Sequence, residues 1–180
     1  MALFAEVPVL PVVVPLAAAV LVVSSWHLHR RALLTLPRAA VALVVSVYAA
    51  GIVANTLFPI FLDKPTSDVP WTQFINLTPI AGYETADAVM NICVFVPLGV
   101  LLSLAVPRWS WWRVLAATAA VSLSIEVSQY TTAHLLGGGH IADVNDLVFN
   151  VIGGALGCLL LGALSRARIL APSIRRFRWS

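Results

Sequence analysis

Charge is what this sequence has least of. Only 11% of its 180 residues are Asp, Glu, Lys or Arg, where a soluble domain carries roughly 25%. With 60% hydrophobic residues and a mean hydropathy of +0.93, almost every helix would be apolar on all sides. That excludes an ordinary soluble domain. It describes a polytopic membrane protein, because one bilayer-spanning helix needs about 20 mainly apolar residues. Cysteine is scarce as well. Cys93 and Cys158 lie inside apolar segments, so they form neither a disulfide framework nor a metal-ligand spacing, and they read as small packing residues. No Lys or Arg precedes the first apolar region, which carries Glu6 instead. A cleavable signal peptide wants a basic start, so this segment is expected to be a retained helix. The sequence also has no G-x-S-x-G, H-E-x-x-H or Walker loop, which leaves no recognised hydrolase or nucleotide site.

What is present is a set of five apolar stretches, near 7–26, 39–61, 88–106, 112–131 and 146–164. The predicted fold is therefore all-α: a polytopic transmembrane helix bundle of about five spans. The loops carry charge unevenly. Arg30, Arg31 and Arg38 lie between the first two spans, Arg108 and Arg113 between the third and fourth, and five further arginines follow the fifth. The other side holds Lys64 as its one basic residue. Short loops rich in Lys and Arg stay cytoplasmic, so the sequence predicts the N-terminus outside and the C-terminus inside. Trp26, Trp109, Trp111 and Trp112 fall at the inner span ends, where indole rings favour the interface. The formal net charge of +3 is thus a membrane signature and calls for no nucleic-acid partner. The basic tail 165–180 is expected to meet anionic lipids.

The spans are not uniformly apolar. Within SIEVSQY, Glu126 interrupts a long apolar run, and an unpaired glutamate facing lipid costs several kcal/mol. The expected topology brings Asn91, Glu126, Gln129, Asp146 and Asn150 to one depth, roughly 5–10 Å below the outer boundary. Glu126 and Gln129 are three apart and share a helix face, which Ser122 extends. Asp143, Asp146 and Asn150 follow one another at spacings of three and four. Asp146 is the expected acidic neighbour of Glu126. Two such carboxylates either share a proton or hold a cation, and Asn or Gln amides can serve either state. The candidate pocket is Asn91, Glu126, Gln129, His140, Asp143, Asp146 and Asn150. The plainer reading is a polar clamp that glues helices together.

The stretch TAHLLGGGHIAD between spans four and five is read as a loop. Gly137, Gly138 and Gly139 allow a tight turn, with His134 and His140 on either side. The spacing matches no strong metal motif, so no metal or cofactor is expected. Gly153 and Gly157 permit close helix packing.

Four segments in series resemble the VanZ-like family of bacterial membrane proteins: Asn76 to Ile80 before a span, Asn91 to Gly99 opening it, Ile125 to Gln129, and Asp143 to Gly153. Asn91, Pro97, Gly99, Glu126, Gln129, Asp143, Asp146, Asn150 and Gly153 match the family pattern. The resemblance covers roughly residues 40–164 and implies three parts: 1–39, an N-terminal helix and basic loop; 40–164, the VanZ-like domain; and 165–180, a basic tail. The family often has an arginine three residues before the first aspartate. Here His140 stands there, so a fixed positive partner becomes one that titrates near neutrality. The family's namesake gives low-level resistance to the lipoglycopeptide teicoplanin. The resemblance thus implies a multi-pass protein of the bacterial cytoplasmic membrane, acting on an envelope ligand such as a lipoglycopeptide or a lipid-linked cell-wall intermediate. A proton- or cation-coupled transporter, a lipid-acting enzyme using paired carboxylates, and a structural partner in an envelope complex or oligomer remain as alternatives.

Overall fold

Long apolar runs with few internal breakers give long helices, and five of them build the molecule. The computed structural model describes residues 4–62, 64, 70–80, 83–136 and 141–180. Its long helices are α1 (Leu10–Arg30), α2 (Leu36–Leu57), α3 (Thr85–Ala105), α4 (Trp111–Leu136) and α5 (Val144–Arg166). A short α6 (Ala171–Phe177) follows. Pro11 and Pro37 sit in the first turns of α1 and α2, where the missing N–H has no partner to lose. The fold is all-α, and α1, α2, α3 and α5 are long and apolar enough to cross a membrane. Helix α4 is more polar yet longer, at 26 residues, enough to exceed the ~30 Å hydrocarbon core. Hydroxyls of Thr118, Ser124, Ser128 and Thr131 donate to carbonyls one turn back in α4, so these side chains need no partner outside the helix. Outside the bundle the surface is apolar: Val23 on α1 is 67% and Leu159 on α5 is 68% exposed.

Helices α3 and α5 pack closest, because their shared face is made of glycines. A Cβ at Gly99 would lie 2.1 Å from the Gly154 carbonyl oxygen, and one at Gly157 would lie 2.1 Å from that of Val96. The backbones are in contact, with Pro97 inside the same stretch of α3. One apolar cluster, Val41, Leu101, Leu104 and Leu161, joins α2, α3 and α5. A second, Ile52, Phe95 and Ile125, joins α2, α3 and α4 nearer the opposite end.

Three features depart from the sequence expectation. First, TAHLL is helical, and α4 runs on to Leu136, because no breaker precedes Gly137. His134 lies on that last helical turn against the rings of Tyr130 and Phe74. Second, two loops join through a parallel pair of two-residue strands, β1 (Ile75–Asn76) and β2 (Ala142–Asp143), with Asn76 opposite Asp143. Third, the basic tail folds back on the bundle. The Trp179 N–H donates to Leu104 O at 3.0 Å. Arg38 reaches from α2 to the carbonyls of Arg178 at 2.7 Å and Ser180 at 2.5 Å. The glycine run 137–139 and His140 lie outside the described residues.

Candidate functional site

Three helix ends meet at one end of the bundle: the starts of α3 and α5, and the last turns of α4. The arginine-bearing loops lie at the other end. Into this end opens a cavity of about 860 Å³. Six of the seven candidate residues line it: Asn91, Glu126, Gln129, Asp143, Asp146 and Asn150. The seventh, His140, is outside the described residues.

Each side chain is held by a different element. Asp143 precedes α5 as its N-cap and accepts from the Asn145 N–H at 2.7 Å, which satisfies an orphan donor of the first turn. Its other carboxylate oxygen takes the Asn76 amide at 2.9 Å. Glu126 is buried in α4, and its Oε2 accepts the backbone N–H of Asp143 at 2.8 Å. A carboxylate so bonded fixes the approach of β2 to α4. Asp146, in the first turn of α5, accepts from Asn91 Nδ2 at 2.7 Å and from the Tyr83 hydroxyl. Asn91 also donates to the Tyr83 oxygen at 2.7 Å, and the Tyr83 ring stacks on Phe149 at 5.3 Å. Deeper in the cavity, Asn150 Nδ2 donates to Ser122 Oγ at 3.0 Å, and nearer its mouth Gln129 Nε2 donates to Thr56 O at 3.1 Å.

Glu126 and Asp146 line the same cavity, and each also takes donors from other groups. Helical spacing ties Asp143, Asp146 and Asn150 together, and the shared cavity agrees. Asp143, however, caps α5 from a strand, and this places its backbone N–H, not a second carboxylate, against Glu126.

Sequence reading missed Tyr83, Asn76 and Asn145. Tyr83 lies before α3, outside the spans, where burial and its hydrogen bond to Asp146 push the phenol well above the ordinary tyrosine range. The phenol is therefore a persistent donor. Asn145 is 2% exposed and clamps the preceding loop. It accepts from Ile80 N at 2.8 Å and donates to Thr78 O at 3.2 Å. An available signal was the Asn76-Leu-Thr-Pro segment itself, because an Asx turn often opens such loops; Asn76 Oδ1 accepts the Thr78 N–H at 3.0 Å.

Two acceptors stay unused. Gln129 Oε1 and Asn150 Oδ1 are buried without a hydrogen-bond partner, and such groups cost free energy until a donor meets them. Among the described lining residues, Glu84, Asp87, Glu126, Asp143 and Asp146 are acidic, and none is Lys, Arg or His. This arrangement can accept hydrogen bonds and hold positive charge. It offers phosphate no cationic clamp.

With the geometry in view, the chain can be set against known proteins. It is 30% identical over 89 residues to "Protein VanZ" of Enterococcus faecium, an overlap of 49% of this chain. The overlap takes in 52% of that protein, so the chain spans about half the length of the curated relative it matches. No solved structure matches it. Residues 43–165, which contain every described residue that lines the cavity, match the VanZ/LLP1 family model, and the chain belongs to that family.

Proposed function

We propose that this membrane protein lies in the bacterial cytoplasmic membrane with the cavity open to the outside, where it binds an envelope ligand or limits access to one, and so contributes to lipoglycopeptide resistance. The orientation rests on the basic residues. Those at and between the facing ends of α1 and α2, those between α3 and α4, and those of the tail gather at the end away from the cavity, and such segments stay cytoplasmic. The ligand class rests on kinship with the VanZ protein, together with a cavity placed where an envelope amphiphile would enter. The observation that carries the reading is the set of buried polar side chains that face this cavity, Glu126, Gln129 and Asn150 above all. Groups kept only as helix glue would be satisfied by one another. Here Gln129 and Asn150 keep unmet acceptors.

The test is teicoplanin susceptibility of a sensitive host that carries the wild type, Glu126→Gln or Asp146→Asn, with membrane abundance measured by an epitope tag. Wild type is expected to raise the inhibitory concentration, and both variants to lose the effect at equal abundance. Variants that protect as well as wild type would sink the proposal.

A further inference from the structure

The polar cavity does not end among polar groups. Beside it runs an apolar groove of about 530 Å³ between α2, α3 and α4. Tyr48, Ile52, Thr56 and Ile125 line both spaces, so cavity and groove are adjacent, with these side chains between them. The groove wall is aliphatic, with Val53, Leu98, Leu101 and Val121 among its residues. Its two serines, Ser124 and Ser128, spend their hydroxyls on carbonyls of α4, each at 2.7 Å. Along α2 it extends from Thr56 at the cavity to Val45, a length of roughly 16 Å at 1.5 Å per residue, or about one leaflet of the hydrocarbon core. Tyr48 sits at the junction, its hydroxyl bonded to Val94 O at 2.9 Å.

We infer that the cavity and groove together form one site for an amphiphile, with a hydroxyl- or ammonium-bearing, phosphate-free head in the cavity and a single alkyl or acyl chain in the groove. This rests on the reading that the cavity binds an envelope ligand, and it names the chemistry of that ligand. The head must donate hydrogen bonds. The cavity is lined by five carboxylates, and Gln129 and Asn150, which are 6% and 3% exposed, add buried amide oxygens with no hydrogen-bond partner beside it. Sugar hydroxyls or an amino-sugar ammonium supply such donors. A phosphate or diphosphate supplies only acceptors and negative charge, against five carboxylates and no described cation. The chain belongs in the groove because the groove is as deep as one leaflet and borders the head site. Among the options carried by the proposed function, this favours a glycosylated or amino-sugar amphiphile over a diphosphate-linked cell-wall intermediate.

The test uses the full chain in phosphatidylcholine nanodiscs. Three photoreactive probes share one alkyl chain with a terminal diazirine and differ in head: glucoside, glucosamine or phosphate. After irradiation, labelled peptides are mapped by mass spectrometry. The glucoside, the glucosamine or both are expected to label the groove faces of α3 and α4 at least roughly fivefold above the phosphate probe, the factor that one added hydrogen bond provides. Labelling by both sugar probes assigns recognition to hydroxyls, and labelling by glucosamine alone assigns it to the ammonium. Ala120→Phe fills the groove from an exposed position and is expected to remove this labelling. Equal labelling by the phosphate probe overturns the head assignment. Labelling spread over exposed residues such as Val22 and Val23 of α1, or unchanged in Ala120→Phe, overturns the chain assignment. The susceptibility test stands apart from both. If Glu126→Gln abolishes protection while Ala120→Phe keeps its labelling, the functional reading holds and the chain site falls.

Discussion

Replacing Gly99 or Gly157 with alanine adds one methyl to the seam where α3 and α5 touch. The new Cβ at either site meets a carbonyl oxygen at 2.1 Å, and at Gly99 also the Cys158 nitrogen at 2.9 Å. Ordinary contact begins nearer ~3.5 Å, so the helices must part by about 1 Å or more. The obstructing atoms are backbone and cannot rotate aside. Overpacking costs about 1–3 kcal/mol, and this case belongs at the upper end. A loss of about 3 kcal/mol is roughly 150-fold in the folding equilibrium. The same displacement would carry Asn91 Nδ2 away from Asp146 Oδ1, now 2.7 Å apart, and out of hydrogen-bond range. Stability is read by denaturant titration in detergent micelles, followed by tryptophan fluorescence. Gly51→Ala serves as the control, because a Cβ there has nothing within 4 Å. It is expected to leave stability unchanged or raise it by up to about 1 kcal/mol. If Gly99→Ala and Gly157→Ala unfold at the same denaturant concentration as Gly51→Ala, backbone contact does not set the α3–α5 distance.

Two more variants probe the mouth of the cavity. Asn145→Ala frees the loop around Thr78 and Ile80 by removing three hydrogen bonds of a buried amide, at a cost of about 2–3 kcal/mol. Hydrogen exchange at the Ile80 amide should quicken in the variant, and unchanged protection would count against the clamp. Tyr83 has its phenol raised above the ordinary value of 10.0, so the folded state releases that proton later than the unfolded chain does. Its contribution to stability is whole below pH ~10 and is lost as pH rises through the folded value. Ultraviolet titration should show Tyr83 still mostly protonated at pH ~10, where a free phenol is half ionised. A wild-type minus Tyr83→Phe difference spectrum with ordinary phenolate at that pH would refute the burial of the phenol and its bond to Asp146.

The helices were legible because their signal is additive: twenty apolar residues in a row have few alternatives. Membership of Asn91, Glu126, Gln129, Asp146 and Asn150 in one cavity was legible for a related reason. Helical spacing and the alternation of spans fix depth without knowledge of packing. What could not be read were the contacts made by irregular backbone. The β1–β2 pair is two residues long, too short for any alternation to show. Tyr83 and Asn145 owe their roles to loops that the pairing brings over the helix ends. Glu126 shows the limit well. Its burial followed from charge in an apolar run, but its partner proved to be an N–H of β2, which no side-chain pattern records.

The grip of Arg38 on the tail has a bearing on how the chain comes together. Its bonds to the carbonyls of Arg178 and Ser180 span 140 and 142 positions. Helix α2 enters the bilayer early in synthesis, so its first-turn guanidinium must wait until every later helix has emerged and turned back. Its contact to Leu33 O at 3.2 Å is the local bond available meanwhile. Docking of Trp179 beneath Leu104 is therefore a late event in assembly. On the cytoplasmic side of the proposed topology the Arg38 grip thus ties the first turn of α2 to residues that are made only after α5.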